Sequence, residues 1–303
     1  MKFEPILSPE EHEKWVNELI IPTFTNGRNP VENPTFVLIT GQSGAGKSYS
    51  SRRYAEDNFE EFPVLFGTDD IRQLHPMADE IIKNDRANYT FKTKKDAGMA
   101  RGKLMDYCFK NGYNIVIESI LLDPNDYKMP TLIQAREHGY KIECVALGVH
   151  RNVSEVSIFS RQEEQLAITK EVGFPATLGV HDDSYYLLPD ILADMNRYKT
   201  VDRICIFNRK HHNFYDSDKD PHDSLFIQRK LRESRNSSLN RDEMTGVALK
   251  WMDVITMMHE RNAPIKEIKV VEDLFTKFMR KSGLFLSSEF KNSFIFNKTG
   301  NQK

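Results

Sequence analysis

Thr35-Phe36-Val37-Leu38-Ile39-Thr40-Gly41-Gln42-Ser43-Gly44-Ala45-Gly46-Lys47-Ser48 joins a short apolar run to a glycine-rich turn. The run Phe36 to Ile39 reads as a buried strand, and a helix is expected from about Gly46 to Asn58. Gly41 to Ser48 fits GxxxxGK[ST] between the two. In that setting the glycines let the backbone curl, so that successive N–H groups point at phosphate oxygens. The helix N-terminus adds its dipole. Lys47 is expected on the β- and γ-phosphates and the Ser48 hydroxyl on Mg²⁺. The backbone of Gly41, Gln42, Ser43, Gly44, Ala45 and Gly46, with the first helical residues up to Tyr49, forms the expected nucleotide cradle. Such a loop gives nucleotide binding and leaves the reaction open.

Outward from this loop, strands and helices alternate. Pro63-Val64-Leu65-Phe66 is a second apolar run, a helix is expected over Lys94–Lys110, and Tyr113 to Ile117 reads as the next strand. Helical and strand patterns follow over 127–138, 141–149, 153–168, 185–197 and 201–207. This alternation predicts an α/β fold, a parallel P-loop NTPase-type sheet covered by helices on both faces. Before it, Ser8-Pro9-Glu10-Glu11 reads as a capped helix start, with Pro22 as its end. After residue 218 the strand signal fades. Val247, Trp251, Ile255 and Met258, then Ile268, Val271, Phe275 and Phe278, mark helix faces. The expected organisation is an N-terminal helical extension over 1–34, a P-loop domain over 35–218, and a mainly helical extension over 219–303 packed on the core.

Composition narrows the function classes. The chain has 303 residues, 42 Lys and Arg against 44 Asp and Glu, and a net charge of −2, so no global charge pulls it toward nucleic acid. The mean hydropathy of −0.55 and the lack of a long apolar run argue against a membrane span. The Glu-rich N-terminus does not read as a secretory signal, and a cytoplasmic location is expected. Cys108, Cys144 and Cys205 are odd in number and far apart, which speaks against a disulfide framework or a Cys-ligated zinc. Arg229, Lys230, Arg232, Arg235 and Arg241 collect near the C-terminal side. Balanced by Glu233, Asp242 and Glu243 and with no interleaved aromatic residues, they read as a solvated helix face rather than a nucleic-acid surface.

The reaction-bearing residues lie beyond the loop. Gly67-Thr68-Asp69-Asp70-Ile71-Arg72-Gln73-Leu74-His75-Pro76 follows the second apolar run. A carboxylate there would sit at the carboxyl end of a parallel strand, beside the phosphates, where it could take a proton from an acceptor hydroxyl. Asp69 or Asp70 would equally suit a helix N-cap. Here the chain resembles the zeta-toxin family of P-loop kinases. The resemblance rests on Asp69, Arg72, His75 and Pro76, on Gly112-Tyr113-Asn114-Ile115-Val116-Ile117-Glu118, on Gln134 to Tyr140, on Arg161-Gln162-Glu163 and on His181-Asp182. It covers about Thr35 to Asp216.

That resemblance implies transfer of phosphate from ATP, with Mg²⁺, to a hydroxyl of UDP-N-acetylglucosamine. It implies Asp69 as general base, Glu118 and Arg72 as substrate contacts beside Asp69, and Arg161 with Lys47 as charge-stabilising catalytic residues. Glu118 also ends an apolar strand, so a Walker-B-like role beside magnesium is its alternative. The Arg161 position read alone is a solvated helix face. His75 could cap or pack a turn and His181 could be a surface residue near an N-cap; neither is given a chemical role. The family's partner is a helical antitoxin, and self-inhibition by one of the extensions is a further expectation. Two departures stand out. Gly173-Phe174-Pro175-Ala176-Thr177 lacks the family's second arginine, and Ser119-Ile120-Leu121-Leu122-Asp123-Pro124 is apolar where small polar residues and an arginine are usual. Other acceptors, a dinucleotide or a polynucleotide end, and a switch that transfers nothing are the alternatives.

Overall fold

The structure is a computed structural model, and it describes residues 4–85, 88–169 and 178–284. It contains two compact units, Met1–Ser237 and Ser238–Lys303.

The first unit is built on strands β1 (Thr35–Thr40), β2 (Val64–Phe66), β3 (Ile115–Ser119), β4 (Lys141–Leu147), β5 (Arg203–Phe207) and β6 (Asn213–Asp216). They form one sheet in the order β2-β3-β1-β4-β5-β6. The first five strands are parallel, and β6 pairs antiparallel with β5. The strands alternate between two cores, as a pleat of period two requires. Phe36 and Leu38 of β1, Ile115 and Ile117 of β3, and Ile142 and Cys144 of β4 enter one core. Val37, Ile39, Val116, Val145 and Cys205 enter the core on the opposite face, against Tyr54 and Ala55. Both faces are therefore dry, which explains the continuous apolar runs of the central strands. The three cysteines are buried and unpaired, and burial raises each thiol pKa, to about 12 for Cys108 and Cys144.

The helices of this unit are α1 (Pro9–Trp15), α2 (Ile21–Thr25), α3 (Lys47–Asn58), α4 (Thr68–Gln73), α5 (Ala78–Asp85), α6 (Tyr89–Lys92), α7 (Lys94–Asn111), α8 (Pro130–Glu137), α9 (Arg151–Thr169), α10 (Leu178–Arg197) and α11 (Ser224–Asn236). Ser8 caps α1 with the capping box expected from sequence. Pro22, however, does not stop the helix. A π-helical segment, Val16–Ile20, lets Ile21 donate to the Val16 carbonyl, and Pro22 falls in the first turn of α2, where a missing N–H costs little. This N-terminal stretch is part of the core: Trp15, Val16 and Ile20 are buried with β1 and α7. The Trp15 indole N–H donates to the Leu74 carbonyl at the end of α4.

Helix α11 is likewise packed within the first unit, although the sequence pattern groups it with the C-terminal extension. Its apolar residues Ile227 and Leu231 belong to the main core. The second unit contains α12 (Arg241–Glu260) and α13 (Ile265–Ser282), which bury Trp251, Val254, Phe275 and Phe278. Among the described residues no helix is long and apolar enough to cross a membrane.

Candidate active site

Strand β1 is central, and the chain leaves it toward β2 on one side and returns through β3 to β4 on the other. Ligands of open α/β sheets bind at such a reversal, outside the carboxyl ends of the strands. The Gly41–Ser48 loop stands there, between β1 and α3. Gly44 adopts φ +74°, and a Cβ on it would lie 2.1 Å from the Ser154 carbonyl oxygen of α9. Gly46 adopts φ +87°, and the nearest atom to a Cβ there is Nε of Arg209, 4.0 Å away. Gly44 is therefore fixed by a close approach, and Gly46 by backbone conformation alone.

The Lys47 ammonium folds back onto its own loop, donating to the Gly41 carbonyl at 3.0 Å and to that of Gln42 at 3.2 Å. Desolvation pushes its pKa down to about 8; Glu118 and Asp69 oppose the shift, whereas Arg161 adds to it. Three charged groups from three other elements thus lie close enough to Lys47 to move its proton affinity.

Strand register places Glu118. It pairs with Ile39 of β1, one residue before Thr40 meets Ser119, so its side chain arrives at the head of α3. There it accepts from Ser48 at 2.9 Å and from Ser51 at 2.7 Å. A serine hydroxyl and a carboxylate side by side are hard oxygen donors of the kind Mg²⁺ takes, so this chain's residues fit the metal.

The two aspartates of 67–76 part company. Asp70 accepts from the Gly67 N–H at 2.7 Å and caps α4. Asp69 accepts from Arg72 at 2.5 Å and from Arg161 at 3.3 Å, reaching across to α9. Arg72 is buried and its carbonyl accepts from the Tyr89 hydroxyl, so it is a rigid buttress beneath Asp69. Arg161 is exposed. His75 is buried; one ring nitrogen accepts from the Met77 N–H and the other faces Asp96.

Tyr49 is 66% exposed, with its ring 5.7 Å from that of His211. Ala45 is buried, and its N–H donates to the Gln42 carbonyl at 3.1 Å. Ser43 lies half-buried in the same loop. Gln42 is fully buried, its amide donating to the Val149 carbonyl at 2.8 Å and to Ser154 at 3.3 Å. Ser154 meets Nε2 of His181 at 2.9 Å. His181 is not a surface residue: it lies fully buried in the first turn of α10, with Nδ1 2.8 Å from Asp182. Glu155, His181 and Asp182 bring ligand atoms within 4.8 Å of one another. Arg151 bonds Glu155 at 2.6 Å and Asp182 at 2.7 Å, so a guanidinium stands where a cation would.

Two features were not foreseen from sequence. Arg209, in the β5–β6 connection, donates to Ser157 of α9 beside Gly46. Arg235 does not share the solvated face of Arg229 and Lys230, which pair with Glu233. It is 2% exposed and donates to Gln42 of the loop at 3.2 Å. In the loop after β3, Leu121 is a core residue, while Leu122 is exposed. The apolar character there is therefore half packing. Gly173–Thr177 and the tail beyond Leu284 lie outside the described residues.

The profile of the family described as Zeta toxin matches residues 23–220. Toxin PezT of Streptococcus pneumoniae serotype 4 is 26% identical over 195 residues, covering 64% of this chain and 76% of that protein. Toxin zeta of Enterococcus hirae is 23% identical over 221 residues, covering 73% and 76%. A chain from the structural characterisation of the PezAT chromosomal toxin–antitoxin system of S. pneumoniae superposes with a TM-score of 0.70 at 20% identity. That alignment covers 84% of this chain and all of that one, which establishes the fold. With the family match spanning well over half of its length, around a nucleotide-binding loop built as described, the chain belongs to the zeta toxin family.

Proposed function

We propose that this protein is a Mg²⁺- and ATP-dependent phosphotransferase that moves the γ-phosphoryl group of ATP to a hydroxyl of a sugar-nucleotide such as UDP-N-acetylglucosamine. The observation that carries the reading is the position of Asp69. Its neighbour Asp70 takes the structural task of capping α4, which leaves Asp69 facing Arg161 at the edge of the phosphate loop.

In this reading the loop backbone and Lys47 hold the β- and γ-phosphates. Ser48 and Glu118 hold Mg²⁺, which when bound neutralises phosphate oxygens. The Ser48–Glu118 contact favours this role for Glu118 over direct contact with the acceptor. Asp69 receives the proton of the acceptor hydroxyl as its oxygen bonds to the γ-phosphorus and the bond from that phosphorus to the β–γ bridging oxygen breaks, releasing ADP. Arg72, held under Asp69, fixes the orientation of the base. Arg161 turns from Asp69 toward the transferring group, whose charge its planar fork can follow. A phosphoryl transfer of this kind needs positioning and charge neutralisation rather than covalent chemistry, and the site offers both.

The relatives named toxins and the PezAT toxin–antitoxin system support a toxic role for this activity and a protein antitoxin as partner. A screen of hydroxyl acceptors with γ-labelled ATP tests the proposal. Transfer to UDP-N-acetylglucosamine supports it, and transfer to another acceptor redirects it. Tight ATP binding with no transfer to any acceptor would refute it in favour of a nucleotide switch.

A further inference from the structure

Helix α11 lies beyond the residues matched to the family, yet it reaches the nucleotide loop from below. Gly148 permits the approach: a Cβ there would lie 2.4 Å from Ser234 Oγ. Ser234 donates to the Gly148 carbonyl at 2.7 Å, which ties α11 to the end of β4. The next residue, Arg235, donates to the Gln42 side chain at 3.2 Å and to the Tyr185 carbonyl at 2.6 Å. Its guanidinium carbon sits 4.2 Å from the centre of the Tyr185 ring. Gln42 passes the connection on to the Val149 carbonyl. Loop, α9, α10 and α11 are thereby joined in one buried polar network.

Arg235 has no acid of its own in this network: Glu155 and Asp182, reached from Gln42 through Ser154 and His181, are held by Arg151. Arg235 is almost wholly buried, and no carboxylate among the described residues pairs with it. Its Nε has no hydrogen-bond partner. Buried arginines are ordinarily compensated by an acid, because an isolated cation in a dry interior is costly. Desolvation lowers the pKa only to about 10, so the group stays charged at neutral pH. A neutral carbonyl, a neutral amide and an aromatic face soften the cost without cancelling the charge. Beside it stands the loop whose Gln42 it holds, and that loop is built for anions.

We infer that Arg235 is a positioning residue of the nucleotide site, a buried cation that fixes Gln42 and favours a polyphosphate in the loop. This inference rests on the nucleotide reading of the loop and is independent of the acceptor. A guanidinium that acts through the loop should favour ligands in proportion to their phosphate charge. An arginine that merely packs should affect all ligands, and the fold, alike.

The test compares the full-length wild type with Arg235→Met, Arg235→Gln and Arg235→Lys. It measures Kd for ATP and for AMP by calorimetry, and the melting temperature without nucleotide. In Arg235→Met and Arg235→Gln, ATP affinity should fall about tenfold while AMP affinity changes less than about threefold. Arg235→Lys should stay within about threefold of wild type for both. Without nucleotide, Arg235→Met should melt no lower than wild type, since an unpaired buried charge has gone. Unchanged ATP affinity in Arg235→Met overturns the inference, and so does an equal loss for both nucleotides with a lowered melting temperature. Should Arg235→Met fail to fold, the folded Arg235→Lys variant decides, and a tenfold loss of ATP affinity there also overturns it. Absence of ATP binding in the wild type would instead remove the nucleotide reading itself, and the inference with it.

Discussion

The phosphate loop and the proposed acceptor side of this site are made differently. The phosphate side is backbone: a loop with two left-handed glycines, one pressed against Ser154, clamped between β1, α3 and α9. The proposed acceptor side is side chains: Arg161 donates to Asp69 at 3.3 Å, and both are partly or largely exposed. The backbone half is fixed by folding and admits few substitutions. The side-chain half can be rearranged by its ligands, because a solvated ion pair is worth little on its own. The comparison suggests that nucleotide binding and acceptor choice can vary separately in this fold.

Substitutions that separate the halves should have the largest effects. Lys47→Ala and Asp69→Asn are each expected to lower kcat about 10³-fold, in the range of losing an electrostatic clamp or a general base. They should differ in binding: ATP affinity should drop in Lys47→Ala and stay within about twofold in Asp69→Asn, measured by calorimetry beside single-turnover transfer. Full activity in Asp69→Asn would place the base elsewhere and break the division.

Arg161→Ala comes next. It should lower kcat about 10²-fold with little change in ATP affinity, since its part is played as the phosphoryl group moves. A drop confined to KM for ATP would assign Arg161 to the phosphate side. Gly44→Ala tests that side directly. The new methyl group at φ +74° would collide with the Ser154 carbonyl, so the loop or α9 must shift. We expect a loss of about 2–3 kcal/mol in stability, seen as a lowered melting temperature, together with weakened ATP binding. A variant with wild-type melting and binding would show that the loop is more pliable than its packing indicates.

The same division governs what the amino-acid sequence reveals. The loop, the alternating strands, the Ser8 cap and the Asp69–Pro76 segment are legible because local residue types dictate them. The separate tasks of Asp69 and Asp70 are not, since both suit a helix start and only the position of α9 assigns one to Arg161. Glu118 was ambiguous until strand register set it against Ser48. Arg235 is not legible as a buried residue because its neighbours Arg229 and Lys230 do face solvent; five residues on from Lys230 is about 140° further round the helix, which carries it from the wet face to the dry one. Pro22 misled for a related reason: a π segment can absorb the missing donor, and nothing in local composition announces it. Arg209 gave no signal, because its partner Ser157 lies on a helix more than fifty residues earlier.

The smallest expected effect concerns a proton rather than a side chain, and it reports on the phosphate side alone. Desolvation holds the Lys47 pKa in the free protein near 8, against an ordinary value of 10.5. Between those values the unfolded chain keeps a proton that the folded chain has lost, so this group makes folding stability rise with pH over that window. Triphosphate binding has the opposite sign. Phosphate oxygens stabilise the ammonium, so the complex binds a proton that free Lys47 is losing, and affinity should fall as pH climbs past 8. At pH 8 about half of the free molecules carry the proton, so ATP binding should take up about half a proton; at pH 9 affinity should be about tenfold lower than at pH 7. Calorimetry in buffers of different ionisation enthalpy measures the uptake, and Lys47→Arg, which stays charged throughout, should abolish it. Uptake that persists in Lys47→Arg would assign the proton to another group, and a flat profile in the wild type would show that the ammonium is solvated in a loop more open than its carbonyl contacts imply.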